Sequence, residues 1–293
     1  MNAATQPLTE HGTRTGILLI LLSMFVFAAQ DGITKTLVEN LPISQLIMVR
    51  YWFFLLFGVL YTSLNGGLKN SIKSQHPTLQ ISRSILGIVE ITIFGLALKF
   101  LGLAETHAIY AIFPLITIAM AGVFLREKIT GLQLIAGLIG FTGTLIILRP
   151  GLGVFSAAAG IPLIAALMFA SFSILSRKIG SDDSFGTNML YMGLGGAITS
   201  SLLGLPQWVT PTATQSLMMM VLSMTGIIAQ MLLIQALKYA PAVTLQPFNY
   251  SLLVFASLIG VFWFQEKVDL FLVAGAALVV AGGLLSFKMT GKP

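Results

Sequence analysis

Four ionisable side chains stand out inside long apolar runs of the sequence: Asp31 and Lys35 in the stretch 16–39, Arg50 in 43–64 and Glu90 in 83–101. A charge in hydrocarbon costs about 3 kcal/mol even on lenient insertion scales, so such groups belong in a protein interior or a wet cavity. Asp31 and Lys35 are spaced to share one helical face. Two readings of them stay open: mutual neutralisation, or a pair lining a cavity in which Lys35 or Arg50 attracts an anionic part of a ligand. Arg50 keeps its charge in any surroundings and must find a carboxylate, a carbonyl or a ligand, with Asp31 and Glu90 as the internal candidates. Glu90 is the candidate for coupling, because a carboxyl group shielded from water can exchange a proton near neutral pH. The bland alternative is a Glu90 that stays protonated, or pairs with Arg50, and only holds helices together.

Uncharged polar groups within the apolar runs could complete a site: Gln30, Tyr110, Asn188, Gln230, Gln235, Gln246, Asn249 and Tyr250. Any one of them could equally bridge two helices by hydrogen bonds. With three histidines and no cysteine, the chain offers no ligand set for a metal, and neither a metal nor a cofactor is expected. His107 is expected as an interfacial side chain. The glycines around Gly193, Gly195 and Gly196, inside an apolar span, suit close helix packing better than phosphate binding. Trp52 reads as an interfacial anchor, although its place beside Arg50 would also let it touch a flat ligand.

These residues are held by a chain that water alone would not fold. Of its 293 residues 56% are hydrophobic and 9% charged, and apolar stretches long enough to cross about 30 Å of hydrocarbon recur throughout. Ten are read: 16–39, 43–64, 83–101, 104–125, 130–148, 155–178, 185–205, 214–237, 242–264 and 269–287. They are apolar on all sides instead of alternating, which excludes a transmembrane barrel and predicts an all-α integral membrane fold. The short connections leave residues 1–293 as a single membrane domain. The net charge of +6 is spread over helix ends and forms no basic face for nucleic acid. With the N-terminus in the cytoplasm, eleven lysines and arginines fall inside and four outside, so both termini are expected in the cytoplasm.

Residues 97–128 and 236–267 align without a gap, with Ala-Leu-Lys-aromatic at the start and Glu-Lys at the end of each. Upstream, FAAQDGITK (27–35) aligns with FASFSILSR (169–177). The chain therefore reads as two five-helix repeats, 16–148 and 155–287. Five is odd, so the second repeat enters the membrane from the opposite side. Two such copies, packed slightly differently, can exchange conformations and open a midplane site to either side in turn.

On this repeat, and on Pro114 followed by Arg126-Glu127-Lys128 with the matching Gln265-Glu266-Lys267, the sequence resembles the EamA-type members of the drug/metabolite transporter superfamily. The resemblance implies a carrier in the bacterial inner membrane whose first four helices per half enclose a cavity, with the fifth helices peripheral. It implies secondary transport, coupled to protons or to exchange, of a small organic metabolite, cofactor-like compound or amino acid derivative. Export of toxic metabolites or drugs is the alternative direction. The rival from another class, a membrane enzyme acting on a lipid-linked substrate, would need more convergent acid and base groups near an interface. The partners expected are a small-molecule substrate, the bilayer and protons; these residues indicate no nucleic acid and no particular oligomeric state. The candidate site residues are Asp31, Lys35, Arg50, Glu90, Tyr110, Gln230, Gln246 and Asn249. Because the second half has Leu253 opposite Pro114 and carries Pro247 instead, the two halves are expected to bend at different depths.

Overall fold

The structure, a computed structural model, describes residues 10–65, 67–101, 103–180, 182–265 and 268–289. Lipid offers no hydrogen bonds, so each crossing segment must satisfy its own backbone, and these apolar runs do so as helices. In chain order they are α1 (Glu10–Leu37), α2 (Ile43–Leu64), the short α3 (Leu68–Ser71), α4 (Pro77–Leu101), α5 (Leu103–Tyr110), α6 (Phe113–Phe124), α7 (Gly131–Leu148), α8 (Gly160–Gly180), α9 (Phe185–Gly204), α10 (Ala213–Tyr239), α11 (Ala242–Asn249), α12 (Ser251–Phe264) and α13 (Leu270–Met289). They supply ten membrane-spanning candidates, with α5–α6 and α11–α12 each making one broken span. Alternation of the spans leaves α1 starting and α13 ending on one face, termed the terminal face; the opposite side is the far face.

The packing follows the duplication. Counterpart helices α2 and α9 pack on each other, as do α7 and α13. Several further contacts come in exchanged pairs: α1 on α10 and α8 on α4, then α1 on α12 and α8 on α6. Such reciprocity is what a pseudo-two-fold axis between inverted repeats produces. Two backbone details sit in the same register. Arg126 has φ 55° and Gln265 φ 57°, left-handed caps that end α6 and α12 at matching positions of the repeat. Glu266 and Lys267, which follow Gln265, lie outside the described residues.

The expectation of bends at different depths is not met. Pro114 has no N–H for the Tyr110 carbonyl and its ring crowds that group, so α5 stops at Tyr110. In the second half Leu253 donates instead to Tyr250, three residues back, at 3.2 Å, and α11 stops at Asn249, the repeat partner of Tyr110. A proline and a tightened turn thus break the two spans at the same level, with Pro247 weakening α11 from its other side by withholding a donor from Val243.

The peripheral pair α7–α13 meets backbone to backbone. A Cβ on Gly143 would stand 2.6 Å from the Gly275 carbonyl oxygen, and one on Gly275 2.6 Å from that of Gly143, so neither position accepts a side chain without parting the helices. Thr130 begins α7 and Thr212 begins α10 with capping boxes closed by Gln133 and Gln215, which satisfies exposed amides where those spans enter the bilayer.

Candidate functional site

On α1, Asp31 lies six residues before the helix end at Leu37, about 9 Å below the far face. On α2, Arg50 lies at a similar depth, seven residues after Ile43. The two charges are electrostatic neighbours, and Asp31 is exposed while Arg50 is half-buried. Arg50 lies against the backbone of α10: a Cβ on Gly226 would stand 2.7 Å from its Nε and 3.3 Å from Gln30 Oε1. The guanidinium carbon also lies 6.0 Å from the centre of the Phe54 ring, within reach of a cation–π contact. Gln230 follows Gly226 by one turn on the same face of α10 and is 6% exposed. Three helices thus bring Gln30, Asp31, Arg50 and Gln230 to one polar cluster.

A second cluster surrounds Glu90, which is near the middle of α4 and 5% exposed. Tyr110, at the broken end of α5, donates its hydroxyl to Glu90 Oε1 at 2.8 Å. The Tyr110 ring stands 4.8 Å from that of Phe94, 5.3 Å from Phe113 and 6.0 Å from Phe169. Phe169 continues the set to Phe172 at 6.0 Å. The result is a carboxyl group walled by aromatic faces and edges, an environment that accepts a flat ring or a cation. Tyr51 joins the clusters, being an electrostatic neighbour of both Arg50 and Glu90. Gly196 gives it room, since any side chain there would collide with the Tyr51 ring.

Not all the expected residues meet. Lys35 is exposed, one turn beyond Asp31 toward the far face. Gln246 and Asn249 are buried on α11 and satisfy each other, Asn249 Nδ2 donating to Gln246 Oε1 at 2.7 Å, so the repeat partner of Tyr110 does not reproduce its bond to a neighbouring helix. His107, expected at the interface, packs its ring 5.0 Å from Phe94 at the margin of the aromatic set. Trp52 points away from the cluster: it is 53% exposed and donates to Ser201 Oγ at 3.0 Å. Two apolar crevices, about 570 Å³ beside Phe25, Phe255 and Trp263 and about 420 Å³ beside Pro247, Phe248 and Phe287, lie away from both clusters and offer a polar ligand little to bind.

The profile of the EamA-like transporter family matches this chain twice, over residues 14–149 and again over 156–288. The chain belongs to the EamA-like transporter family. It is thereby a member of the drug/metabolite transporter superfamily, a multi-pass membrane transporter of small molecules and not an enzyme. Among curated relatives of this EamA-like chain, an S-adenosylmethionine uptake transporter of Rickettsia bellii is 26% identical, covering 92% of each chain. A riboflavin transporter of Vibrio cholerae is 28% identical over 92% of each chain, and a pseudopaline exporter of Pseudomonas aeruginosa is 20% identical over 91% of this chain and 94% of its own. A solved crystal structure superposes with a TM-score of 0.83 at 16% identity, covering 94% of this chain and 99% of that one, so the fold is shared.

The terminal face of this EamA-like transporter carries two closures that the sequence did not single out. Arg126 in its left-handed conformation lets the Glu127 N–H return to the Ala121 carbonyl at 3.2 Å and throws the Glu127 side chain toward α11. There its two oxygens accept the amides of Ala242 at 3.2 Å and Val243 at 3.0 Å, capping the positive end of α11. Arg177 at the end of α8 completes the closure, 3.3 Å from Glu127 and donating to the carbonyls of Leu237 and Lys238.

The second closure centres on Asp183, which accepts from Ser74, from the Gln75 amide at 2.8 Å and from Gln80 Nε2 at 2.8 Å. Arg83 joins it by donating to Gln80 Oε1 at 2.9 Å and to the Asn188 carbonyl at 3.0 Å. From hydropathy alone the span begins at Arg83, which falls among the charges of its cytoplasmic end. In fact α4 starts at Pro77 and Arg83 is fully buried.

Proposed function

We propose that this protein is a secondary active carrier that takes up a small metabolite combining a heteroaromatic ring with ionised groups, by alternating access across a bacterial inner membrane. The single observation that carries the reading is the placement of two unlike subsites around Tyr51: the Asp31–Arg50 pair on one side, and Glu90 with its aromatic walls on the other. Asp31 and Arg50 together suit a ligand bearing both signs of charge, and the aromatic walls suit a ring. Glu90 is the coupling residue, exchanging a proton as the substrate enters or leaves. The exposed Asp31, with both closures made on the terminal face, corresponds to a state open toward the far face. The charge bias of the loops supports that face as the outer one, with both termini in the cytoplasm.

Uptake is favoured over export by the relative named for S-adenosylmethionine uptake, which matches at 26% identity against 20% for the exporter. The substrates named for that relative and for the riboflavin transporter both carry a flat heteroaromatic system. The test is uptake of radiolabelled S-adenosylmethionine and riboflavin into proteoliposomes with an imposed proton gradient. Wild type should accumulate one of them, Arg50→Ala should lose binding and transport together, and Glu90→Gln should keep exchange while losing accumulation. If Glu90→Gln accumulates substrate as well as wild type, coupling through Glu90 is wrong.

A further inference from the structure

Gln30 is 2% exposed, and neither its Nε2 nor its Oε1 has a hydrogen-bond partner. Among the described residues it is the one amide side chain left in that state at both atoms. Gln45 and Gln246 show the contrast. Gln45 is fully buried yet donates to the Val209 carbonyl at 2.8 Å and accepts the Val209 amide at 2.9 Å, so its carboxamide is satisfied by a donor and an acceptor standing side by side. Gln246 and Asn249 satisfy each other. An unmet buried amide is costly and calls for a physical explanation, a ligand that pairs with it being one.

The surroundings of Gln30 point to a ligand. Its Oε1 and the Arg50 Nε both lie against Gly226, where α10 has no side chain to intervene. One turn along, the Nε2 of Gln230 is also without a partner. Two helices, α1 and α10, therefore hold unused donors and an unused acceptor near Gly226, beside the Arg50 guanidinium that α2 supplies. A carboxamide presents one N–H and one carbonyl oxygen in a plane, and it pairs twice with a ring edge bearing an adjacent acceptor and donor, as glutamine does with adenine.

We propose that Gln30 is the residue that selects the substrate ring, by a two-bond pairing with a heteroaromatic edge that carries a hydrogen-bond donor beside an acceptor. The proposal rests on the transport of a ring-bearing metabolite argued above and names the edge by which that ring is read. Adenine offers such an edge through its amino group and a ring nitrogen, and a flavin offers one through its imide. Small movements of α1 against α10 at Gly226 admit the ring, and Gln30 then exchanges an unmet amide for a paired one on binding.

The experiment uses the full-length protein in nanodiscs and four probes: adenosine, N6,N6-dimethyladenosine, riboflavin and 3-methylriboflavin. Methylation removes the donor from each edge. Wild type should bind at least one parent compound about tenfold or more tightly than its methylated partner, the discrimination one bidentate pair supplies. Which parent is discriminated tells an adenine edge from a flavin imide. Gln30→Leu should bind parent and methylated compound alike, both at the weaker level, and should melt without ligand at or above the wild-type temperature, because the amide it removes had no partner. Gln30→Met serves the same comparison if the leucine chain does not fold. The inference is overturned if wild type binds the methylated compounds equally well, if the variants still discriminate, or if both variants melt well below wild type without ligand. Those results would leave ring transport standing. Failure of wild type to bind any of the four would overturn the role of Gln30, whereas the reading of a ring joined to ionised groups stands or falls with S-adenosylmethionine uptake.

Discussion

Glu127 and Arg177 meet at 3.3 Å across the terminal face with side chains only 13% and 20% exposed, and the same carboxylate caps α11. Arg177 shares a face of α8 with Ser173 and with Phe169 of the aromatic set, so the pair lies directly below the route from the site to this face. Replacing Glu127 by Gln removes a charge-assisted bond and a favourable charge at a helix start, about 2 kcal/mol in all. Because the sequence has no cysteine, Ser173→Cys supplies a label site without background. In the Glu127→Gln background that thiol should react with a water-soluble maleimide up to about thirtyfold faster, the factor that a bias of about 2 kcal/mol toward terminal-face opening supplies. The repeat sets Lys35 opposite Arg177 on the far face, so Lys35→Gln should slow the same reaction. Equal rates in all three backgrounds would mean that these charges do not gate access.

Gly226 is where Arg50 and Gln30 touch α10. Alanine is intrinsically the better helix residue by about 1 kcal/mol, yet its Cβ would stand 2.7 Å from Arg50 Nε. A flexible side chain can retreat, so the expectation for Gly226→Ala is an unchanged or slightly higher melting temperature with substrate KM raised about tenfold, the cost of displacing one charged contact. Uptake kinetics alongside thermal melting separate this from simple misfolding, which would lower both.

Much of the architecture is legible because its causes are local in sequence. Apolar length announces each span, and α2 begins and ends where its apolar run does, at Ile43 and Leu64. The gap-free repeat anticipates the exchanged helix pairs. What is not legible depends on partners distant in the chain. The turn from Pro77 to Ser82 reads as polar loop, but Gln80, Arg83 and Ser84 hydrogen-bond to Asp183, Asn188 and Tyr191 of the second half, so the helix starts earlier than its hydropathy suggests. The matched breaks at Tyr110 and Asn249 were hidden because two different devices, a proline and a tightened turn, do the same work. Glu127 stood out as a landmark of the repeat, while its capping of α11 required the left-handed backbone at Arg126. For the site, polar residue types singled out Arg50 and Glu90, whereas the difference between Gln30 and Gln45 lies entirely in what faces each amide.

Tyr110 and Glu90 allow packing to be separated from charge. Tyr110→Phe keeps a ring among Phe94, Phe113 and Phe169 but withdraws the donor at 2.8 Å from a carboxyl group that is 5% exposed. Leaving that acceptor unmet should destabilise the protein by about 1–3 kcal/mol. Ring binding should change little, while gradient-driven accumulation should fall, because the carboxyl group has lost the partner that orients it. Calorimetry and uptake on the same preparation test this, and a loss of ring affinity equal to the loss of accumulation would assign Tyr110 to substrate contact instead.

Asp183 gives the clearest dependence on pH, since it lies between α8 and α9, outside the spans. Burial alone would raise its pKa, but bonds from Ser74, Gln80 and the Gln75 amide, with His76 nearby, hold it below the ordinary carboxylate value. A carboxyl group whose pKa is lower folded than unfolded stabilises the folded state fully above the unfolded value of about 3.9, and that contribution disappears as pH falls through the folded value. Asp183→Asn puts an amide N–H where donors already point, and should lower stability at pH 7 by about 1–3 kcal/mol. The melting curves of wild type and variant should therefore run parallel from neutral pH to about pH 5 and converge below about pH 4. If the gap instead stays constant to pH 3, the aspartate contributes through shape alone, and its charge does not hold this closure of the terminal face.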